Sequence, residues 1–189
     1  MCNYNIFLSI SLLPLRFFRL CFGKSKKIKL IEQNSLINNY YYNKENKVPK
    51  SVISWNIQEL FLYSNTKKIN NILNYLESFD TDIICLQEAF EDKTKEFIIL
   101  YLKKKYPYHL LGYQVKRYLV GEDSGLLVLS KHPINFIDEI KLKNLIFPDC
   151  LANKTVLFFE VGGIYFATTH LQSSSDEISK KQITNILLE

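Results

Sequence analysis

From position 51 onward, short apolar runs alternate with longer stretches in which apolar residues recur every three or four positions. This alternation constrains the fold more than any other feature of the chain. Apolar runs of five or six residues read as buried strands, and the stretches between them as amphipathic helices packed on those strands. Residues 51–55 (SVISW) and 82–86 (DIICL) are strands on this reading, and so are residues 125–130 (GLLVLS). Residues 155–161 and 164–169 complete the set, joined across Gly162-Gly163 as a tight hairpin. Residues 66–79 place Ile69, Ile72, Leu73, Leu76 and Phe79 on one helical face. Residues 91–105 form a second helix with Phe97, Ile98, Tyr101 and Leu102 inward, its lysines at the C-terminal end favoured by the helix dipole. A last helix opens on the capping box Ser174-x-x-Glu177 and carries Ile178, Ile183, Ile186 and Leu187 on one face. The class is mixed α and β.

A chain of 189 residues, 47% hydrophobic and 23% charged, can bury one core and carry an appendage. Cys2, Cys21, Cys85 and Cys150 have no paired spacing, which argues against a disulfide framework and a zinc site and for reducing surroundings. The net charge of +5 is unevenly placed. Residues 1–50 hold nine basic and two acidic groups, a net +7, which leaves 15 basic and 17 acidic groups in the other 139 residues, a net −2. An acidic globular part makes nucleic acid an unlikely partner.

Residues 1–32 read as an arm. Its apolar run, residues 6–15 (IFLSISLLPL), is too short to span a bilayer as one helix and lacks the basic start and small-residue cleavage site of a signal peptide. The following RFFRLCFGKSKKIK mixes aromatics with Arg16, Arg19 and four lysines, the composition of a segment that docks on an anionic membrane surface. Cys21 sits there as a candidate for reversible lipid anchoring. The expected location is therefore membrane-associated and cytosol-facing, with a soluble cytoplasmic chain as the alternative. Residues 33–50 are a polar linker closed by Pro49, and residues 51–189 are the globular part.

Three of the strands stop on polar pairs: Trp55-Asn56, Gln87-Glu88 and Thr169-His170. An amide, a carboxylate and an imidazole at strand ends would meet on one rim of a sheet, a rigid place to build a site. A hard cation such as Mg²⁺ takes oxygen ligands, and Asn56 and Glu88 offer them while phosphate oxygens and water fill the rest. His170 would stabilise a phosphate oxygen or protonate a leaving group. Singly, each residue reads as a turn former, a surface charge or a polar cap.

Taken in order, SWNIQEL, DIICLQEAF, SGLLVLSKHPI and TTHLQSS resemble the successive motifs of the endonuclease/exonuclease/phosphatase superfamily. The resemblance implies the N-terminal part of a DNase I-like four-layer αββα sandwich, of α+β class, over residues 51–189. It implies Asn56 near metal and phosphate, Glu88 as the Mg²⁺ ligand, and His170 on the phosphate. Ser130 and Lys131 match the family's Ser-Arg position, and His132 in the same turn reads as structural. Within the superfamily, QEAF with its following helix, KKYPYHLLG and HLQSS are most similar to neutral sphingomyelinases, which cleave sphingomyelin to ceramide and phosphocholine. There Asp149 and Lys154 resemble an Asp-x4-Lys element whose Lys is brought toward the substrate; without the family they read as an ordinary surface ion pair. The membrane-prone arm fits a phospholipid substrate. A nuclease or inositol polyphosphate phosphatase is the alternative enzyme.

The superfamily also carries a later Asp-x-Asn strand end and a terminal Asp-His pair that supplies the general base. Neither occurs in the nineteen residues after His170. The expectation is a truncated portion, inactive alone because loss of a general base costs typically 10²-fold to 10⁴-fold. A non-catalytic membrane-associated remnant, or half of a protein completed by a second chain, are the other readings.

Overall fold

A computed structural model describes residues 47–59, 66–113, 123–147 and 149–188. The arm, Cys21 and most of the linker lie outside the described residues. The apolar runs become seven strands, β1 (Val52–Glu59), β2 (Ile83–Ala89), β3 (Tyr108–Leu111), β4 (Leu127–Ser130), β5 (Asn135–Lys141), β6 (Thr155–Val161) and β7 (Ile164–Thr169). The helices are α1 (Thr66–Ser78), α2 (Asp92–Leu102) and α3 (Asp176–Leu188), with a 3₁₀ turn at Asp149–Leu151. Among the described residues no helix is long and apolar enough to cross a membrane.

The strands form two sheets. One has the order β1-β2-β4-β3, with β1 and β2 parallel and the remaining pairs antiparallel; the other is the antiparallel β5-β6-β7. Alternation along β2 explains the layering. Ile84 and Leu86 face α1 and α2 and pack with Ile72, Leu73, Leu76, Ile98 and Leu102. Ile83 and Cys85, one position out of phase, face the second sheet and pack with Leu157, Phe159 and Val161. A strand covered on both faces must be apolar throughout, so DIICL and GLLVLS show no polar alternation. Burial there pushes the Cys85 thiol up to about 12 and leaves it a packing residue. The result is a helix layer on a double sheet, of α+β class and in keeping with the DNase I-like sandwich.

Two expected helix faces are corrected. On α2 the buried residues are Thr94, Lys95, Ile98 and Leu102, whereas Phe97 and Tyr101 are 44% and 43% exposed. Polar anchors decide the rotation: Lys95 is buried in an ion pair with Asp123, and Thr94 Oγ1 donates to the buried carboxylate of Glu59 (3.0 Å). On α3 the buried residue is Gln182, whose Oε1 accepts from Gln172 N–H (3.0 Å) and whose Nε2 donates to the Lys143 carbonyl (3.1 Å). Ile183 and Leu187 consequently point outward. The helix is capped by Ser175, whose Oγ accepts from Ile178 N–H, while Ser174 instead accepts from the Gln172 amide.

Two strands were not legible as apolar runs. β3 has four residues, and β5 is mostly exposed and broken by a register shift between Phe136 and Asp138. At the β6–β7 hairpin, Gly162 and Gly163 take φ of 60° and 85°, the positive values of a two-residue turn. Residues 47–50 lie against that hairpin: a Cβ on Gly162 would stand 2.5 Å from the Lys47 carbonyl.

Candidate functional site

Parallel pairing of β1 with β2 puts their C-terminal ends side by side, with Asn56 opposite Gln87. Just beyond, the register shifts: three steps on β1, from Asn56 to Glu59, match two on β2, from Gln87 to Ala89. Such bulges re-aim side chains at sheet rims. Gln58 within the bulge has φ of 49°, and Glu88 has φ of 56°. Neither is glycine, so each holds a sparsely populated backbone conformation that costs on the order of 1–3 kcal/mol and persists only where surrounding contacts fix it. Those contacts are present. Asn56 Oδ1 accepts from Gln58 N–H (2.9 Å), and Asn56 Nδ2 donates to Glu88 Oε1 (2.6 Å).

The second sheet brings the imidazole. His170 follows β7, and its Nε2 lies 3.5 Å from Glu88 Oε1. Gln87 holds the two sheets together at this point. Its buried amide nitrogen donates to Ser54 Oγ on β1 (3.1 Å), the Cys85 carbonyl (3.3 Å) and Thr168 Oγ1 on β7 (3.2 Å). Asn56, Glu88 and His170, separated by up to 114 positions in sequence, thus share one rim.

Lys154 and Asp149 border the same rim. Lys154 Nζ lies 3.1 Å from Asp149 Oδ2 and donates to the carbonyl of Leu171 (2.7 Å), directly after His170. Asp149 Oδ2 also accepts from Ser173 N–H (2.7 Å) and Ser173 Oγ (2.9 Å). With side chains 2% and 12% exposed, the pair is buried rather than an ordinary surface contact. Burial works against the Asp149 charge, but the bonds from Ser173 and Lys154 outweigh it and hold the carboxyl below its usual range. Burial lowers the Lys154 ammonium, against the pull of Asp149 and Glu88. Burial also lowers the pKa of His170, and Lys154 lowers it further, while Glu88 and Asp149 oppose them. Together these influences lower it, which favours the neutral imidazole. Its Nδ1 is buried without a hydrogen-bond partner among the described residues.

Lys131 and His132 stand elsewhere. Ser130 pairs with Ile83 at the opposite end of β2, so both residues lie roughly 16 Å of strand away from Glu88. There Lys131 pairs with Asp80 and Asp82, and His132 Nε2 is 3.8 Å from Asp82. The Ser-Lys position is thus outside the rim cluster. Sequence reading also passed over Gln87 as a site-forming residue, although an amide inside an apolar run is the signal of a buried polar tie. Ser173 and the Leu171 carbonyl carried no signal at all.

The sequence profile of the Endonuclease/Exonuclease/phosphatase family matches residues 53–184, most of the chain. The chain belongs to this family. Among solved structures, it is similar to a double mutant of beta toxin from Staphylococcus aureus with bound magnesium ions, at 24% identity and a TM-score of 0.58 over 74% of this chain and 58% of that one. Sphingomyelinase C from Streptomyces griseocarneus is similar at 20% identity and a TM-score of 0.55, over 75% of this chain and 59% of that one. At these identities the likeness is one of fold, and this family member spans about 60% of the length of those proteins. A search of curated protein sequences gives no match.

For a family in which metal-dependent chemistry is expected, the donor set matters. Among the described residues no three His, Cys, Asp or Glu side chains cluster to cage a metal. Both described partners of Glu88 engage Oε1, so Oε2 is the oxygen that it offers a cation. One carboxylate oxygen, completed by water and phosphate, is a normal protein contribution to Mg²⁺. The residues fit that ion as a partial set.

Proposed function

We propose that Asn56, Glu88, His170 and Lys154 form the metal- and phosphate-binding part of a Mg²⁺-dependent phosphodiesterase site, with sphingomyelin as the substrate. The observation that carries this reading is the contact across two sheets, Asn56 to Glu88 to His170, on backbone strained at Glu88. The magnesium-bound beta toxin and the sphingomyelinase C of similar fold support the choice of ion and substrate.

Glu88 would hold Mg²⁺, which supplies Lewis-acid neutralisation of phosphate charge when bound. Asn56 fixes the Glu88 carboxylate through Oε1, which leaves Oε2 for the cation. His170, beside Glu88, would offer a ring N–H to a phosphate oxygen. Lys154 adds a buried cation next to the same group, held in place by Asp149 and Leu171. Among the described residues, His109 lies on β3 and His132 at the far end of β2, and neither reaches the cluster to take a proton from water. Turnover by these residues alone is accordingly low, and the base comes from outside them. A phospholipid surface as partner, and membrane association through residues 1–32 with Cys21 as an anchor, belong to the same proposal.

Calorimetric titration of the chain with Mg²⁺ and phosphocholine tests it. Saturable binding of Mg²⁺ that disappears in Glu88→Gln is expected, with sphingomyelin cleavage near background. Binding that survives Glu88→Gln undamaged would refute the assignment, and rapid cleavage by the chain alone would refute the missing base.

A further inference from the structure

The residue that α3 buries is an amide, Gln182, where an apolar side chain would be expected. A helix docked in this way is seated by hydrogen bonds, which fix distance and direction as apolar contact does not. Gln182 is 1% exposed and Gln172 is 3% exposed, and each is bonded at both ends of its amide. Gln182 Oε1 accepts from Gln172 N–H and its Nε2 donates to the Lys143 carbonyl, so one side chain grips two separate segments. Gln172 extends the tie. Its Oε1 accepts from Ile146 N–H (3.1 Å), its Nε2 donates to Ser174 Oγ (2.6 Å), and its carbonyl accepts from Ser179 Oγ of α3 (2.6 Å).

The two segments so gripped are the ones that bracket Lys154 and Asp149. Gln172 stands between Leu171, whose carbonyl accepts from Lys154 Nζ, and Ser173, whose N–H and Oγ donate to Asp149 Oδ2. On the other side, Leu142 N–H, next to Lys143, donates to the Lys154 carbonyl (2.9 Å). Cys150 N–H donates to the Ile146 carbonyl (3.0 Å), which ties the 3₁₀ turn bearing Asp149 to the same segment. A fully bonded buried amide pair is rigid, and removing one partner leaves the other unsatisfied in the interior. We propose that Gln182, acting through Gln172, is a positioning residue for the rim, setting where the Lys154–Asp149 pair stands beside His170. Its consequence for phosphate rests on the role proposed for Lys154; its effect on placement does not.

Hydrogen exchange of the full chain, followed amide by amide by NMR, reads that placement without any ligand. Gln182→Met removes both amide bonds at similar volume, and Ser179→Ala is a milder change that removes the bond to the Gln172 carbonyl. The Ser173 amide should lose protection in both variants, more in Gln182→Met, while the amides of the central strands β4 and β6 keep theirs. Should Gln182→Met fail to fold by circular dichroism, Ser179→Ala decides by the same pattern. In calorimetry at saturating Mg²⁺, Gln182→Met should weaken phosphocholine binding by about tenfold or more and leave Mg²⁺ affinity unchanged. Unchanged protection at Ser173, an equal loss of protection in β4 and β6, or an equal loss of Mg²⁺ and phosphocholine affinity would each overturn the proposal. Failure of the unaltered chain to bind phosphocholine would count against the phosphate reading of the rim, and the exchange pattern would then decide the placement by itself.

Discussion

The two ends of β2 carry nearly the same side-chain chemistry and differ in how it is held. At the N-terminal end stand Asp80, Asp82, Lys131 and His132; at the C-terminal end stand Glu88, Asn56, Asp149, Lys154 and His170. The first cluster is a set of ion pairs on relaxed backbone around Asp80, which is 90% exposed, with Lys131, Asp82 and His132 at 23%, 19% and 17%. The second has a lysine 2% exposed, positive φ at Glu88 and a buried His170 nitrogen with no hydrogen-bond partner among the described residues. Charge alone does not mark a site.

That contrast can be broken by mutation. The largest effect is expected for Lys154→Met, which leaves Asp149 buried without its cation and should cost about 3–5 kcal/mol, read as a fall in the urea midpoint. Next, Asn56→Ala releases Glu88 and should weaken Mg²⁺ binding by about 10–100-fold in calorimetry, while His132→Ala leaves it unchanged. Acid gives a further comparison. The folded pKa of Asp149 lies below the unfolded Asp value of about 3.9, so the unfolded chain takes up the proton first as pH falls. The stability it contributes is complete above that value and is lost as pH falls through the folded pKa. Asp149→Asn should therefore flatten the acid limb of a stability–pH curve followed by circular dichroism. The smallest effect belongs to Lys131→Ala, at most about 1 kcal/mol by urea titration, because its shorter ion pair is to Asp80, which is 90% exposed. Equal losses from Lys154→Met and Lys131→Ala would erase the distinction between the two ends.

Much of the fold was legible because strands buried on both faces leave uninterrupted apolar runs, and the polar residues after those runs lie together at Asn56, Glu88 and His170, although β1 continues past Asn56 through a bulge to Glu59. The helix faces were less so. A count of apolar residues placed Phe97 and Tyr101 inward, but a buried Lys95–Asp123 pair and the Thr94–Glu59 bond turned α2 the other way, and hydrogen bonds of this kind leave no periodic trace. Asp149 and Lys154 were singled out through resemblance only. Five residues apart, they look like a surface pair, and it is the Leu171 and Ser173 backbone, reached through a chain reversal, that buries them. Lys131 was matched by resemblance to the family's Ser-Arg position, and because β4 runs antiparallel to β2 it stands at the end of β2 opposite Glu88.

The Gln87 amide reaches from β2 to Thr168, 81 positions away, and Glu88 meets His170 across the same seam. Either half of this rim can be complete as a folded hairpin or βαβ unit and still contain no site. Contacts between such distant segments form late, after the loop-closure entropy has been met. Ligand affinity at Glu88 should therefore be the last native property to return on refolding and the first to disappear when the sheets part. It serves as a gauge of whether the two sheets are seated, more sensitive than any measure of helix or strand content.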